Sequence, residues 1–554
     1  MLLTILKPIG IILMVLVIFN LMIIVHELGH FLAARWRGLV IEKFGIWFGK
    51  PLWKKTINGV EYSLGSIPAG GFVALPQLAP MEVMEGKVET PRDQLPPISA
   101  LDKIIVAFAG PLFSFGLAFV FALIVWKAGR PVGEGESSLV VGYVQEKSPA
   151  ALAGIRVGDE IRAVDKHPVT RFSGMGADCV MWRVVRSEGE SIEMQIKRGT
   201  ETLTVFPTAK IPEKAHWWNR KGLRQIGIAP AVTPVVESVT PGTPAGAAGL
   251  QPGDLLTAIN GEKLYDAGGI YDYARHHPDG PYTLTVRRGA QELPLPFDPR
   301  GVKIGGLSAD PNSPARHAGL EVGDIVLGID GHSLPVASAL TDYVEKHGGV
   351  PITFNIERAG QKRDLTVTPQ VPEHATEDDS KPRVGLALND DDGFTFDGMG
   401  LYKIVHPGPI EQIRASMMGI VNTVDAILSR KSNIGFQHMG GPVMMMHAYY
   451  SMLSGHEGLR LALWFSVVLN VNLALLNMLP IPVLDGGHIT LALIEAMRRK
   501  PVNVRLLEYV QTACALVIIS FMVFIAFFDV QDLPWFGGKS PQMKFKPPAG
   551  EAQK

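Results

Sequence analysis

The chain has 554 residues, of which 47% are apolar and 19% are charged, and its mean hydropathy is +0.18. This composition excludes an intrinsically disordered chain, and a net charge of -1 argues against a basic nucleic-acid-binding protein. Two cysteines, Cys179 and Cys514, are too few for a disulfide framework or for a zinc site built from thiolates.

The apolar excess is concentrated in four stretches that are long enough to span a bilayer, which takes about 20 residues. We interpret the first stretch as a retained span, because no small-residue cleavage site follows it as in a signal peptide. Lysine and arginine cluster in the loop at 35–103 and after the third stretch, so the positive-inside rule places both loops in the cytoplasm. The four predicted spans are 9–25, 104–126, 461–484 and 509–528.

The end of the first predicted span carries a metal-binding pattern, His26-Glu27-Leu28-Gly29-His30. Residues four apart lie on one face of a helix, so the imidazoles of His26 and His30 can reach the same ion. Two imidazoles and an oxygen ligand favour zinc, and Glu27 is placed to take a proton from water. The alternative is a pair of interfacial histidines, although ionisable residues that continue a hydrophobic span usually have a function.

A catalytic zinc site needs a third protein ligand and an open position for water. Glu42 is the only acid in the dozen residues that follow the motif. The better candidate is Asp485, which follows two prolines at the end of the third predicted span, where non-helical backbone has to be packed in protein or line a polar cavity. His488 is the rival of Asp485 as the ligand that would join His26 and His30.

The large segment between the second and third spans contains an internal repeat. Three stretches, 148–159, 243–254 and 313–324, align without gaps on a Ser/Thr-Pro-Ala start and a Gly-Asp end. The hydroxyl and proline predict the start of a short helix, and the following glycine and aspartate predict a turn into a strand. The pattern resembles the PDZ domain over residues 137 to 370. PDZ domains bind extended peptides by strand addition, although single copies can also serve as spacers or steric filters.

The segment 376–460 is predicted to contain a linker and amphipathic helices. Its acidic runs at 377–379 and 390–392 are typical of a solvated linker. Residues 411–430 place their apolar side chains on one face of a helix. This helix either lies on the outer membrane surface or packs against the repeats.

Together these motifs resemble the site-2 proteases, the intramembrane zinc metalloproteases, over nearly the whole chain. The resemblance rests on the His-Glu-x-x-His motif and on Asn-x-x-Pro-x-Pro-x-Leu-Asp-Gly, which runs from Asn477 through Asp485. Ala109-Gly110-Pro111 matches a family motif in the second span. The closest resemblance is to the bacterial branch that regulates sigma-E. Ser114 stands where the family usually has asparagine, which suggests a variation in packing.

The resemblance implies that Zn²⁺ is bound by His26, His30 and Asp485 and that Glu27 is the general base and acid. It also implies that a membrane-associated β-region follows the first span, and an edge strand at 67–73 could capture an unwound stretch of the substrate. The alternatives are a plain hairpin in this region and structural hydrogen bonding for Asn477. The residues that would contact substrate are Asn477, Ile67, Gly70, Gly71 and Phe72.

The predicted fold is a multi-pass α-helical membrane protein with four transmembrane helices, a membrane-associated β-region and a tandem of α+β PDZ-like domains. The predicted boundaries are 1–36 for the first helix, 37–102 for the β-region, 103–130 for the second helix, 131–215, 216–300 and 301–375 for the PDZ-like units, 376–460 for the linker and surface helices, 461–500 for the third helix, 501–530 for the fourth and 531–554 for the tail.

The implied activity is hydrolysis of peptide bonds within transmembrane segments, as in regulated intramembrane proteolysis of anti-sigma factors or signal-peptide remnants. The expected partners are transmembrane substrates already cut by another protease and the lipid bilayer, with no nucleic acid. The expected location is the bacterial inner membrane, with the PDZ-like units outside, where they gate substrate access, and the active site toward the cytoplasm. The alternative is a non-catalytic PDZ scaffold or receptor with a structural zinc, which predicts loss of the base that Glu27 provides.

Overall fold

The computed structural model describes residues 2–78, 95–174, 176–212, 219–278, 280–299, 301–334, 336–373, 380–390, 392–429, 432–500, 502, 504–533 and 545. The predicted acidic run at 377–379 and most of the predicted tail lie outside these residues. The helices of the described part are α1 Leu2–Arg37, α2 Ala100–Ala128, α3 Glu134–Ser137, α4 Pro149–Leu152, α5 Val180–Arg186, α6 Pro244–Ala248, α7 Gly268–His276, α8 Pro314–His317, α9 Ala337–Lys346, α10 Pro409–Leu428, α11 Pro442–Ser454, α12 Gly458–Asn477, α13 Asp485–Arg498 and α14 Val504–Gln531.

Four helices of the described chain, α1, α2, α12 and α14, are long and apolar enough to cross a membrane. This confirms the number of predicted spans. The helix α2 packs against α1, α12 and α13, so it forms the centre of the helical part. Ser99 caps α2 by accepting a hydrogen bond from the backbone N–H of Asp102, which fixes where this span begins.

The third predicted span is wrong in its extent, because α12 ends at Asn477 and a separate helix, α13, begins at Asp485. Pro480 and Pro482 lie in the break, where each lacks the N–H that a continuous helix would use. The predicted domain 461–500 is therefore two helices joined by a short non-helical segment. This break places Asp485 in the first turn of α13.

A four-stranded sheet follows α1 and consists of β1 Lys43–Phe48, β2 Trp53–Ile57, β3 Val60–Leu64 and β4 Ile67–Ala74. The strand order is β2-β3-β1-β4, with β1 and β3 parallel and the other pairs antiparallel. Strand β4 is therefore an edge strand, and it packs against α1. An edge strand has unpaired backbone groups that can bind another extended chain.

The long insert contains three compact units, and each unit encloses its own apolar core. The first has β6 Val141–Val144, β7 Glu160–Val164, β8 His167–Pro168, β9 Met194–Arg198, β10 Glu201–Val205 and β11 Ile228–Pro230. The second has β12 Val236–Val239, β13 Leu255–Ile259, β14 Glu262–Lys263, β15 Tyr282–Arg288, β16 Gln291–Phe297 and β23 Phe394–Phe396. The third has β17 Val302–Leu307, β18 Ile325–Ile329, β19 His332–Ser333, β20 Ile352–Arg358, β21 Gln361–Val367 and β22 Leu386–Asp390.

The repeated Gly-Asp sequence has the same structural role in all three units. Its aspartate, which is Asp159, Asp254 or Asp324, is buried and accepts two hydrogen bonds from one arginine on a later strand. The same arginine also donates to a backbone carbonyl beside the short helix. A buried carboxylate is tolerated only when it is paired in this way, so the ion pair explains why the aspartate recurs. The three arginines are Arg198, Arg288 and Arg358.

The predicted linear order of the units is wrong, because the third unit is inserted into the second. Strand β23 follows the third unit in sequence but pairs with β12, so residues 392–397 complete the second unit. Asp392 is buried there, whereas the sequence predicted a solvated linker. The first unit likewise extends past the predicted 215, because β11 pairs with β6. These pairings join segments distant in sequence, which a repeat pattern does not reveal.

Because the third unit is inserted into the second, substitutions at Leu388 and Phe394 should destabilise different units although they are close in sequence. Phe394→Ala should lower the free energy of unfolding of the second unit by about 2 kcal/mol, because its half-buried ring packs on that unit's core. Hydrogen exchange should therefore accelerate in β13 and remain unchanged in β18. The control Leu388→Ala should act on β18 instead, because Leu388 packs on the third core. Loss of protection in the third unit alone after Phe394→Ala would contradict the insertion.

Helix α10 corresponds to the predicted amphipathic helix. Its buried face packs on α2 and α12, and the amide of Gln412 donates to the carbonyl of Ala122 in α2. Asp425 near its other end pairs with Arg186 of the first unit. The opposite face leaves a row of apolar side chains exposed, namely Ile410, Met417, Val421, Val424 and Leu428. The helix therefore contacts both the spans and the first unit, and one apolar stripe remains uncovered within the described chain.

Candidate metal centre and active site

Three predicted zinc ligands from two distant parts of the chain converge inside the helical part. His26 and His30 lie one turn apart on α1, and Asp485 begins α13. The Nε2 atoms of the two histidines are 3.3 Å apart. Asp485 places Oδ2 3.2 Å from His26 Nε2 and Oδ1 3.3 Å from His30 Nε2. Among the described residues, these three form the one cluster of histidine, cysteine or acidic side chains with metal-binding spacing.

The outer nitrogens of both rings are held by α2. His30 Nδ1 lies 2.8 Å from the carbonyl oxygen of Val106, which can only accept, so this nitrogen carries the proton. His26 Nδ1 lies 3.0 Å from the hydroxyl of Ser114, which is fully buried. In the neutral form of His30, Nε2 is then unprotonated, and its lone pair faces the carboxylate of Asp485. The second span therefore aims the rings toward one point.

This donor set fits a zinc ion. Donors about 2.0–2.1 Å from a tetrahedral ion lie about 3.3–3.4 Å from one another, which agrees with the observed separations. The Oδ2 atom of Asp485 is buried and has no hydrogen-bond partner in the described part of the chain. Lone pairs and a carboxylate at such short distances repel one another unless a cation or a proton lies between them. A metal ion would satisfy all three groups at once.

Glu27 lines the same cavity from the neighbouring position on α1. Strand β4 approaches it closely, because a Cβ atom added at Gly71 would lie 3.2 Å from Cγ of Glu27. Glycine at this position thus brings the edge strand next to α1 at Glu27. A carboxylate between the ligand set and an edge strand is well placed to exchange protons with a peptide bound along that strand.

The Ala-Gly-Pro motif of α2 makes room for one of the ligands. A Cβ atom added at Gly110 would lie 2.1 Å from Nε2 of His30. That distance is far below van der Waals contact, so a side chain at residue 110 would displace the imidazole. Steric contact with His30 therefore explains why the motif has glycine at residue 110.

We expect Gly110→Ala to reduce zinc affinity by at least tenfold, because the imidazole of His30 has to move. Gly116→Ala is the matched control on the same helix, since a Cβ there meets nothing within 4 Å. Both changes introduce the same methyl group and the same gain in helix propensity. The measurement is zinc bound per chain after dialysis against a graded chelator. Equal zinc retention by the two variants would rule out the steric role of Gly110.

The ligands open into a cavity of about 310 Å³. Gly70, Gly71 and Phe72 of β4 line it, as does Asn477 at the end of α12. The amide nitrogen of Asn477 lies 3.4 Å from Nε2 of His26. Ile67 was predicted to contact substrate, but it is 54% exposed and lies outside the lining of this cavity. His488, the rival ligand, lines the cavity and stands outside the described cluster of three.

The sequence did not predict the hydrogen bonds between α2 and the two histidines. Ser114 was interpreted as a packing variation, whereas its hydroxyl contacts a predicted metal ligand. The only available signal was its spacing of four residues from Gly110, which puts both on the same face of α2. The carbonyl of Val106 left no signal, because every residue has one.

The chain matches the model of peptidase family M50 over residues 14–521. The Regulator of sigma-E protease RseP of Escherichia coli is 26% identical over 542 residues, which cover 93% of this chain and 97% of that protein. A "Putative zinc metalloprotease" of Vibrio cholerae is 26% identical over 532 residues, covering 92% and 96%. A PDZ domain of an SdrC-like protein from Listeria monocytogenes is 22% identical, covers 17% of this chain and 90% of its own, and has a TM-score of 0.14.

The family match includes α1 with both histidines, α2 and the segment with Asp485. It therefore spans every element that builds the ligand cluster. The chain belongs to peptidase family M50.

Proposed function

We propose that this protein is an intramembrane zinc metalloprotease that cuts peptide bonds within transmembrane segments of other proteins. The observation that carries the proposal is the convergence of His26 and His30, on the spanning helix α1, with Asp485 at the start of α13, beside Glu27. Membership of a zinc-dependent peptidase family and relatives named as proteases support the same conclusion. We further propose that these three residues are the zinc ligands.

When bound, zinc supplies Lewis acidity, which polarises a peptide carbonyl and makes water a stronger acid. Glu27 accepts a proton from water as its oxygen attacks the carbonyl carbon. Glu27 then delivers that proton to the leaving nitrogen as the C–N bond breaks, so the reaction consumes one water. The amide of Asn477 donates a hydrogen bond to the substrate backbone, which holds the reacting carbonyl in place.

A transmembrane helix hides its peptide bonds in its own hydrogen bonds, so it has to unwind before it can be cut. Among the described strands, β4 is paired on one side only, so its outer edge offers backbone groups to the unwound segment along Gly70, Gly71 and Phe72. The substrate would then lie extended between this strand and the ligand cluster. We expect Pro substitution on β4 to impair cleavage more than zinc binding.

The experiment that tests the activity uses the full chain in vesicles with a model transmembrane substrate. We expect cleavage within the apolar segment, loss of cleavage after zinc chelation, and recovery after addition of zinc. A protein that binds one zinc per chain but never cuts would favour the alternative, a receptor or scaffold with structural zinc. The inclusion of Glu27 in the cavity argues against that alternative, because a structural site has no need of a base.

We also propose that the three units are PDZ-like, lie outside the bacterial inner membrane and select substrates already trimmed by another protease. The concentration of lysine and arginine in the opposite loops supports this orientation. One relative's name states that it regulates sigma-E. Membrane-anchored anti-sigma factors and signal-peptide remnants are therefore the proposed substrate classes.

The strand pairing shows how the units can be removed cleanly. Strand β5 Arg130–Gly133 pairs with β24 Tyr402–Val405, and Gly133 lies opposite Tyr402. Replacing residues 134–401 by Asn-Gly should therefore close a two-residue hairpin. We expect this deletion to permit cleavage of untrimmed substrates, measured against a trimmed substrate. Unchanged discrimination between the two substrates would overturn the gating proposal.

A further inference from the structure

A second cavity, of about 380 Å³, lies at the end of the spans that carries the three units. The first unit, helix α10 and the spanning helix α12 line it together. Trp464 and Val468 of α12 form its apolar part, and Arg183 of the first unit also lines it. This volume lies within the range of about 300–1,000 Å³ that is common for small-ligand pockets. The cavity is separate from the metal centre in its lining residues.

One buried acceptor in this cavity has no partner. The side chain of Gln412 is only 5% exposed. Its Nε2 donates to the carbonyls of Ala122 and Pro407, at 3.0 and 2.9 Å. Its Oε1 has no hydrogen bond from any described residue. An unsatisfied buried carbonyl costs about 1–3 kcal/mol, so a ligand that donates N–H groups here would be favoured.

The same cavity carries an unpaired cation. In the described part of the chain, Nε of Arg183 is buried without a partner, and its side chain forms no ion pair. Arg130 also has a buried Nε without a partner among the described residues, but it is ion-paired, because it donates two hydrogen bonds of 3.0 and 2.6 Å to Glu136. The cavity therefore offers one free guanidinium, one free amide oxygen and the exposed carboxylate of Glu411.

The position of the cavity points to a lipid. Glu411 of the cavity follows Ile410 in α10, and Ile410 belongs to the exposed apolar stripe on the face opposite Gln412. In this stripe Ile410 is 76% and Leu428 is 73% exposed. Such a stripe beside spanning helices is typical of a helix that lies in the membrane interface. Trp464 is of the residue type that favours this level, and Arg130 lies over its ring at 4.5 Å. These features are expected of a cavity at the level of the lipid headgroups.

We propose that this cavity binds the headgroup of a zwitterionic amine-containing phospholipid, in the leaflet on the side of the three units. The phosphate pairs with Arg183, and the primary ammonium donates to Oε1 of Gln412 and to the carboxylate of Glu411. The apolar part at Trp464 receives the glycerol end of the acyl chains. A headgroup with both charges matches a cavity that offers both a cation and acceptors.

The test is native mass spectrometry of the full chain released from nanodiscs that contain phosphatidylethanolamine, phosphatidylcholine or phosphatidylglycerol. We expect one retained phosphatidylethanolamine per chain and at least tenfold weaker retention of phosphatidylcholine, whose quaternary amine has no N–H. Arg183→Gln should weaken phosphatidylethanolamine retention about tenfold. The matched control Arg162→Gln changes a paired surface arginine of the same unit and should have no effect.

Glu411→Gln is the second variant, because Glu411 is exposed and its loss does not endanger folding. It should reduce the preference for phosphatidylethanolamine over phosphatidylglycerol. Equal retention of all three lipids, or equal retention by Arg183→Gln and Arg162→Gln, would overturn the proposal. Hydrogen exchange of α5 and α10 confirms that each variant is folded.

Discussion

Replacing Glu27 by glutamine is expected to abolish cleavage while the protein still binds one zinc per chain. Glu27 stands beside His26 on α1 and lines the cavity, but it lies outside the cluster of three ligands. An amide of the same shape preserves packing against Gly71 and loses the ability to take a proton. General bases contribute about 10²–10⁴-fold to rate, so we expect kcat to fall at least a hundredfold.

The measurement combines zinc content with single-turnover cleavage of a model transmembrane substrate in vesicles. Glu61→Gln is the control, because Glu61 lies on the neighbouring sheet and forms an ion pair with the exposed Lys54, at 3.7 Å. That variant should retain full cleavage. Near wild-type cleavage by Glu27→Gln would remove Glu27 from the mechanism without affecting the assignment of the ligands. Loss of zinc in that variant would instead give Glu27 a role in the metal centre.

The sequence predicted those residues of the site that are revealed by their spacing on a helix or by an ionisable group in an apolar stretch. His26 and His30 share a helical face because of their spacing, and Glu27 follows from the same motif. Asp485 is distant in sequence, but an acid after two prolines in an apolar stretch needs a polar partner. The structure brings these residues together, within the distances given above.

The parts that sequence did not predict depend on contacts between distant segments. Nothing in a serine distinguishes a hydroxyl that packs from one that orients His26, since only the approach of α1 and α2 decides it. The same reason explains the units of the insert. The Gly-Asp repeats identified the three copies, but strand β23 joins the second copy only through pairing with β12, across the whole third unit.

Asp485→Asn and His488→Gln together decide which residue completes the metal centre. Both side chains line the cavity, and the sequence alone left them as rivals. In the structure both carboxylate oxygens of Asp485 lie 3.2–3.3 Å from the histidine nitrogens. We therefore expect Asp485→Asn to lower zinc affinity at least a hundredfold, because a neutral amide is a far weaker ligand for zinc than a carboxylate. His488→Gln should retain one zinc per chain.

Zinc affinity is measured by competition with a chromophoric chelator, and cleavage is recorded in parallel. Asp485→Asn should also lose cleavage, with partial recovery at high zinc if the fold is intact. Circular dichroism and hydrogen exchange of α13 show whether the helix still begins at residue 485, which separates loss of a ligand from loss of structure. The reverse pattern, in which His488→Gln loses zinc and Asp485→Asn keeps it, would mean that α13 shifts along its axis by three residues, about 4.5 Å, when metal binds. The ligand set would then be His26, His30 and His488, because residues 485 and 488 are three apart and share one helical face.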